Sequence, residues 1–279
     1  MKICDLHTHS VYSDGTCTPE QIIDLAKARG LSCVALCDHN TVAGLPEFLR
    51  AAEARGVEAV AGAEFSVDYN GKELHLLGFF IPEDQLERVS LLMKEANDRK
   101  RQSNIDLIKA LNALGYELDF DAIASQTPNG HVNRAHIAAA LTEKGYTESI
   151  SHAFSTLLSP RAGYYKEPKR YSVFEVIAFV RSMGAVPVLA HPFLNLKREE
   201  LEVFLPKAKE KGLVGMECYY SLYDEKTTLE SLELAQKFGL LCSGGSDFHG
   251  QNKPDIALGT GKGNLKIPYT LLEALRTAR

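Results

Sequence analysis

Apolar and polar positions along this chain fall into short blocks whose period switches between two residues and three to four. Ile3 to His7 reads as a short strand. "TPEQIIDLAKARG" (18–30) predicts a helix, with Thr18 as N-cap, Pro19 in the first turn and Gly30 as the stop. "SCVALCDH" (32–39) predicts a strand that runs into polar Asp38 and His39. "LPEFLRAAEARG" (45–56) is the next helix, and "VEAVAGAEFSV" (57–67) a strand ending near Glu64. "YNGKELHLLGFFI" (69–81) carries a hairpin turn at Asn70-Gly71, with His75 just beyond it. The rhythm returns in the last third: helix "SVFEVIAFVRSMG", strand "AVPVLAH", strand "LVGMECYY", helix "LELAQKFG" and strand "LLCSGGSDFHG". Alternation of this kind predicts an α/β fold with a mainly parallel sheet, and about seven strands favour a closed or distorted barrel.

The middle breaks the pattern. "RVSLLMKEANDRKRQSNIDLIKALNALG" predicts one long amphipathic helix or two, and "RAHIAAALTEKG" another. Residues 87–158 therefore read as an inserted helical substrate-binding lid, and 1–86 with 159–279 as the barrel. Insertions on the C-terminal side of barrel strands commonly cover an active site.

Composition narrows this picture. The 279 residues are 45% hydrophobic and 24% charged, as in soluble globular proteins. A net charge of -5 argues against an electrostatic grip on long nucleic acid, but leaves room for a local basic pocket. No apolar run reaches membrane-spanning length, and "MKICDLHTHS" turns polar too soon for a signal peptide. The six cysteines form no CxxC pair and read as buried free thiols of a cytoplasmic protein.

His7 and His9 would project from the same face of the first strand. That pair alone does not decide between half of a metal site and two ordinary strand-end histidines. The rest of the pattern does. Polar residues recur where strands end: His7, His9, His39, Glu64, His75, His191, Asp247 and His249. The chain has nine histidines, and six of them occupy these positions. Active sites of parallel barrels lie at the C-terminal ends of strands. Nitrogen and oxygen donors without cysteine suit manganese, iron or zinc better than a thiolate site. So many donors exceed the needs of one ion, so two or three divalent ions are expected, with Glu64 as a candidate bridge.

"DLHTHSVYSDG", "LCDHNTVAG", "GAEFS", "ELHLLGFF", "VLAHPF" and "GSDFHG" together resemble the PHP (polymerase and histidinol phosphatase) family. The resemblance implies a distorted seven-stranded barrel, a trinuclear metal centre and phosphoesterase activity. It implies that Asp14 and His39 hold one ion, and that His7, His9, Glu64, His75 and His191 hold the others with Asp247 and His249. A solvated turn acid is the alternative for Asp14. Asp38 would orient an imidazole. Glu64, His191, Asp247 and His249 form the implied catalytic set, with His249, His191 or a water as the proton donor to the leaving oxygen.

Two stretches of the insertion suggest phosphate binding. "NDRKRQSN" is basic and polar, and "HVNRAHIAAAL" places Asn133 and Arg134 at a helix start, a ready anion site. The layout resembles the stand-alone branch that acts as 3',5'-nucleoside bisphosphate phosphatase or 5'-to-3' exonuclease on short RNA. By that resemblance Arg101, Asn104, Asn133 and Arg134 would hold the nucleotide. His131 and His152 read as surface or packing residues. The expected partner is a small phosphorylated substrate, without membrane or obligatory protein partner. The rivals are a histidinol-phosphate phosphatase, a metal-dependent amidohydrolase, for which no lysine signal is found, and a non-catalytic metal-binding PHP module.

Overall fold

The computed structural model describes residues 2–127 and 132–279. By its contacts the chain forms two compact units, Met1–Met93 with Arg170–Arg279, and Lys94–Lys169.

The larger unit is built on an eight-stranded sheet. Its strands are β1 (Ile3–Asp5), β2 (Cys33–Leu36), β3 (Glu58–Tyr69), β4 (Lys72–Phe79), β5 (Val186–Leu189), β6 (Gly215–Tyr220), β7 (Leu241–Gly245) and β8 (Ile267–Pro268). They pair in the order β7-β6-β5-β4-β3-β2-β1-β8. The residues after β1 also meet those after β7: the Leu6 amide donates to Gly244, His9 to Phe248 and Asp247 to His7. These bonds almost close the sheet into a ring. Gly245 permits the approach, because a Cβ there would sit 2.2 Å from the His7 Cβ.

The strand count corrects the expected seven. The extra strand, β8, pairs antiparallel with Ile3 and Cys4. Two residues ending in a proline carry no periodic signal. β4 is antiparallel to both of its neighbours, because the Asn70-Gly71 turn folds it straight back on β3. Asn70 and Gly71 both have positive φ, at 53° and 77°, as a two-residue hairpin of this hand requires.

Local signals explain the flanking helices. In α1 (Pro19–Ala28) the Thr18 and Gln21 side chains cap each other's backbone amides. α2 (Leu45–Arg55) ends on left-handed Gly56. β2 is buried throughout, and its alternation separates two packing faces. Val34 and Leu36 join Ile22, Ile23 and Phe48 in one cluster. Cys33, Ala35 and Cys37 join Val60, Leu77 and Val188 in the other. Burying an aliphatic side chain of this size contributes about 1.5–3 kcal/mol.

The smaller unit begins and ends later in the chain than the expected 87–158. α3 (Leu86–Asn112) is a single helix of 27 residues. It is followed by α4 (Phe120–Ser125), α5 (Arg134–Glu143) and α6 (Ile150–Ser155). Leu107, Ile108, Leu111, Ile137 and Leu141 form this unit's own core. No strand occurs in it among the described residues.

Four cysteines are buried as free thiols, whereas Cys17 and Cys242 are partly exposed. Among the described residues no helix is long and apolar enough to cross a membrane.

Candidate metal centre

Each donor reaches one end of the barrel for a local reason. β1 delivers His7 and His9, and the backbone around them is held by Asp5. One Asp5 carboxylate oxygen accepts from the amides of His7 and Ser246, and the other from that of Gly259. His39 follows β2 and pairs in parallel with Glu64. Glu64 lies within β3, not at its end, since the strand continues to Tyr69. His75 stands opposite Ser66 in the antiparallel register. Because β4 runs backwards, its first residues reach the level of its neighbours' last ones. His191 follows β5, and Asp247 and His249 follow β7. His191 and Asp247 have left-handed φ of 27° and 58°, and Asn40, next to His39, has 48°. Backbone strain of this kind gathers at functional sites.

Glu64 sits at the centre and is fully buried. Its Oε2 lies 3.3 Å from the Nε2 of both His7 and His9, and 3.0 Å from His39 Nδ1. Its Oε1 lies 3.0 Å from His75 Nδ1 and 3.0 Å from His191 Nε2. Asp247 Oδ1 is 3.2 Å from His9 Nε2. Asp14 Oδ1 is 3.2 Å from His249 Nε2, and Asp14 Oδ2 is 3.9 Å from His39 Nε2. All nine expected ligands thus converge, Asp14 included. Their donor atoms group as His9, Asp14, His39 and His249; as His7, His9 and Glu64; and as His39, Glu64 and His75.

The chemistry of these atoms fits cations. His7 Nε2, both ring nitrogens of His9, Asp14 Oδ1, Glu64 Oε2, His75 Nδ1 and His191 Nδ1 are buried without a hydrogen-bond partner. A single buried orphan costs about 1–3 kcal/mol, so several around one carboxylate call for a ligand that accepts a lone pair from each imidazole. Burial alone would raise the Glu64 pKa, yet His39, His75 and His7 hold it well below the carboxylate range. Burial likewise opposes ionisation of Asp247, and His9 and His7 hold it low. His39 is pushed down to about 3 by burial, which keeps its imidazole neutral. Against the pull of burial, the carboxylates raise His9 to about 9, His75 to about 10 and His7 above the ordinary imidazole range. A divalent cation bound among these donors would take the place of those protons.

Asp38 departs from expectation. It accepts from the Ser10 amide and from the Ser10 and Ser13 hydroxyls. It therefore braces the loop between His9 and Asp14 and orients no imidazole by hydrogen bond.

The other expected site residues belong to the smaller unit. Arg101 lies over the Phe120 ring at 4.8 Å and 4.0 Å from Asp121. Asn104 is buried, and its amide donates to the Val132 carbonyl. Asn133 caps α5, exchanging hydrogen bonds with His136. Arg134 Cζ lies over the Tyr165 ring, 4.3 Å from its centre. His152 accepts from the Glu148 amide, and His131 lies outside the described residues.

Three site residues escaped the sequence reading. Glu217, in β6, is fully buried with Oε1 3.0 Å from His7 Nδ1. Tyr220 donates to Asp247 Oδ2 at 2.8 Å, and Lys253 reaches the same oxygen at 2.6 Å. A carboxylate inside the apolar run "GMECYY" was the available signal for Glu217.

Known proteins share this architecture. A 5'-3' exoribonuclease of Haemophilus influenzae is 28% identical over 88% of this chain and 89% of its own. A phosphoribosyl 1,2-cyclic phosphate 1,2-diphosphodiesterase of Eggerthella lenta is 31% identical over 88% and 94%. A 3',5'-nucleoside bisphosphate phosphatase of Chromobacterium violaceum is 29% identical over 88% and 86%. A Bifidobacterium adolescentis structure assigned to the metal-dependent phosphoesterases superposes with a TM-score of 0.82 at 28% identity, over 99% of this chain and 96% of its own. The PHP domain model matches residues 5–170. With that match beside the histidine and carboxylate cluster, the chain belongs to the PHP domain family.

Proposed function

We propose that this protein is a metal-dependent phosphoesterase that hydrolyses nucleotide phosphate esters, such as 3',5'-nucleoside bisphosphates or short RNA from the 5' end. The observation that carries the reading is the cage of orphaned imidazole nitrogens around Glu64, which fits a cluster of cations and little else. His7, His9, Asp14, His39, Glu64, His75, His191, Asp247 and His249 would hold two or three divalent ions, manganese first, with zinc or iron as alternatives. Such ions, when bound, activate water near neutral pH and polarise phosphoryl oxygens.

The chain's own groups divide the remaining work. Tyr220 and Lys253 occupy Asp247 Oδ2, so only Oδ1 faces the centre. His249 Nδ1 sits 2.8 Å from the Asp247 carbonyl, which only accepts, so its ring proton is on Nδ1. Its Nε2 lone pair then faces the centre, which suits a ligand better than a proton donor. A cytoplasmic location accords with the six free thiols.

A phosphate-release screen with manganese tests the substrate class. Nucleoside bisphosphates and short 5'-phosphorylated RNAs should outpace histidinol phosphate. The Eggerthella lenta relative makes a cyclic ribose phosphate the second substrate to include. Preference for histidinol phosphate, or no turnover of any of these, would overturn the reading.

The helical unit's part is proposed to be anion binding through Arg134, at the first position of α5. Its guanidinium, over the Tyr165 ring, keeps a forked donor set that lysine lacks. Arg134→Lys and Arg134→Ala should raise KM for a nucleoside bisphosphate by roughly ten- to a hundredfold, the worth of one charge-assisted contact. Hydrolysis of p-nitrophenyl phosphate should change little. Equal loss on both substrates would assign Arg134 to the reacting phosphoryl group, and no loss on either would remove it from the site.

A further inference from the structure

Glu217 stands outside the ligand set and touches two of its members at once. It enters from β6, between the strands that carry His191 and Asp247. Its Oε1 is 3.0 Å from His7 Nδ1, and its Oε2 accepts the His191 backbone N–H at 2.8 Å. The carboxylate is fully buried. The rings of His7 and His191 stack 5.7 Å apart, with 13° between their planes.

We propose that Glu217 is a positioning residue of the metal centre, which selects the ligating nitrogen of His7 and anchors the backbone of His191. The inference rests on the metal-centre reading given above. A carboxylate accepts hydrogen bonds and donates none when ionised, so His7 must carry its proton on Nδ1 to pair with it. Nε2 is then the nitrogen left to offer its lone pair to a cation. That atom faces Glu64 Oε2 at 3.3 Å and Asp247 Oδ1 at 3.7 Å, among the other donors. The hydrogen bond on one imidazole nitrogen decides which nitrogen meets the metal.

The second contact acts on the backbone. His191 has a φ of 27°, which a non-glycine residue keeps only when its surroundings enforce it. The bond from its N–H to Glu217 supplies one such restraint. One side chain on β6 thereby sets a ligand on β1 and another after β5.

Glu217, His7 and His191 also lie close enough together to hold an ion themselves. The hydrogen bonds argue against that role. Both Glu217 oxygens already receive N–H donors, and His7 Nδ1 cannot offer a lone pair while it carries a proton.

Glu217→Gln separates these roles. The amide has one accepting oxygen for two N–H donors, so one contact must fail. Protein purified with manganese is dialysed against graded chelator buffers, and retained metal and circular dichroism are recorded for each variant. The apparent dissociation constant should rise about 10–100-fold, the usual cost of removing a group that orients a ligand. The circular dichroism spectrum should stay native, and saturating manganese should restore most of kcat. In a His7→Gln background, Glu217→Gln should add less than about threefold, because the ring it orients is already gone. Unchanged metal retention, loss that tracks unfolding, or fully multiplicative effects in the double variant would each overturn the proposal. Nitrogen-15 spectra of wild-type protein loaded with zinc give a test independent of any variant: His7 should be protonated at Nδ1 and metallated at Nε2, and metallation at Nδ1 would overturn the proposal. A wild type that retains no metal would instead overturn the metal-centre reading itself, and the inference with it.

Discussion

Glu64→Gln should abolish nearly all phosphoester hydrolysis while leaving the circular dichroism spectrum native. The substitution keeps the shape of a fully buried side chain but removes its charge. Each Glu64 oxygen faces its own set of imidazoles, Oε2 those of His7, His9 and His39, Oε1 those of His75 and His191. An amide supplies one accepting oxygen and turns an NH2 group toward the other set, where lone pairs are needed. The backbone is indifferent, because β3 is held by ladders to β2 and β4 on either side. Removing one electrostatic stabiliser of a transition state costs about a hundred- to a thousandfold, and a carboxylate that faces two sets of imidazoles should cost at least that. Asp247→Asn should behave in the same way, with a milder effect because Tyr220 and Lys253 still hold the side chain. Phosphate release at saturating manganese measures both. Turnover near wild type would show that these carboxylates are not part of the reacting centre.

Protein purified without chelator should carry more than one equivalent of divalent metal, and stripping it should remove activity until manganese is returned. The donor groups support this number: Asp14 and His249 join His9 and His39 in one group, while Glu64 joins His7 and His9 in a second and His39 and His75 in a third. Stripping should also lower the melting temperature, since a ligand at a hundred times its dissociation constant stabilises the native state by about 2.7 kcal/mol. Elemental analysis and a melting curve read the two effects. A single equivalent or none, even after manganese is supplied, would defeat the multinuclear reading.

Most of the site was legible in the sequence because imidazoles are scarce and their places regular. His7, His9, His39, His191 and His249 each lie at or a few residues beyond the end of a strand-like run, and the structure brings them together. What escaped lacked that signature. Glu217 sits in the middle of an apolar strand, where no strand-end rule points to it. Tyr220 and Lys253 act through a neighbouring carboxylate, and contacts across the fold leave no spacing to read. The ring's eighth strand is too short to have a period. Asp38 was correctly seen as a supporting group but given the wrong partner, because sequence proximity to His39 hid its reach back to Ser10 and Ser13. Within the helical unit, Asn104 and Asn133 matched a nucleotide-binding pattern. The structure shows both engaged by backbone groups of their own unit, as helix and loop construction demands.

Ring closure makes the centre a late product of biosynthesis. The Asp5 carboxylate and the Ser246 amide that help seal the seam are 241 positions apart in the chain. At roughly 5–20 residues per second, the ribosome needs on the order of ten to fifty seconds to supply the second after the first. For most of that interval His7, His9, Asp14, His39, Glu64 and His75 have been made while Asp247 and His249 have not. Contacts so distant in sequence also form slowly. A cation that needs the finished cage would stabilise the sealed ring over the open chain and so favour the last folding step. Only a chain that has closed its ring offers all the donors at once, which couples the quality of the fold to the loading of the enzyme.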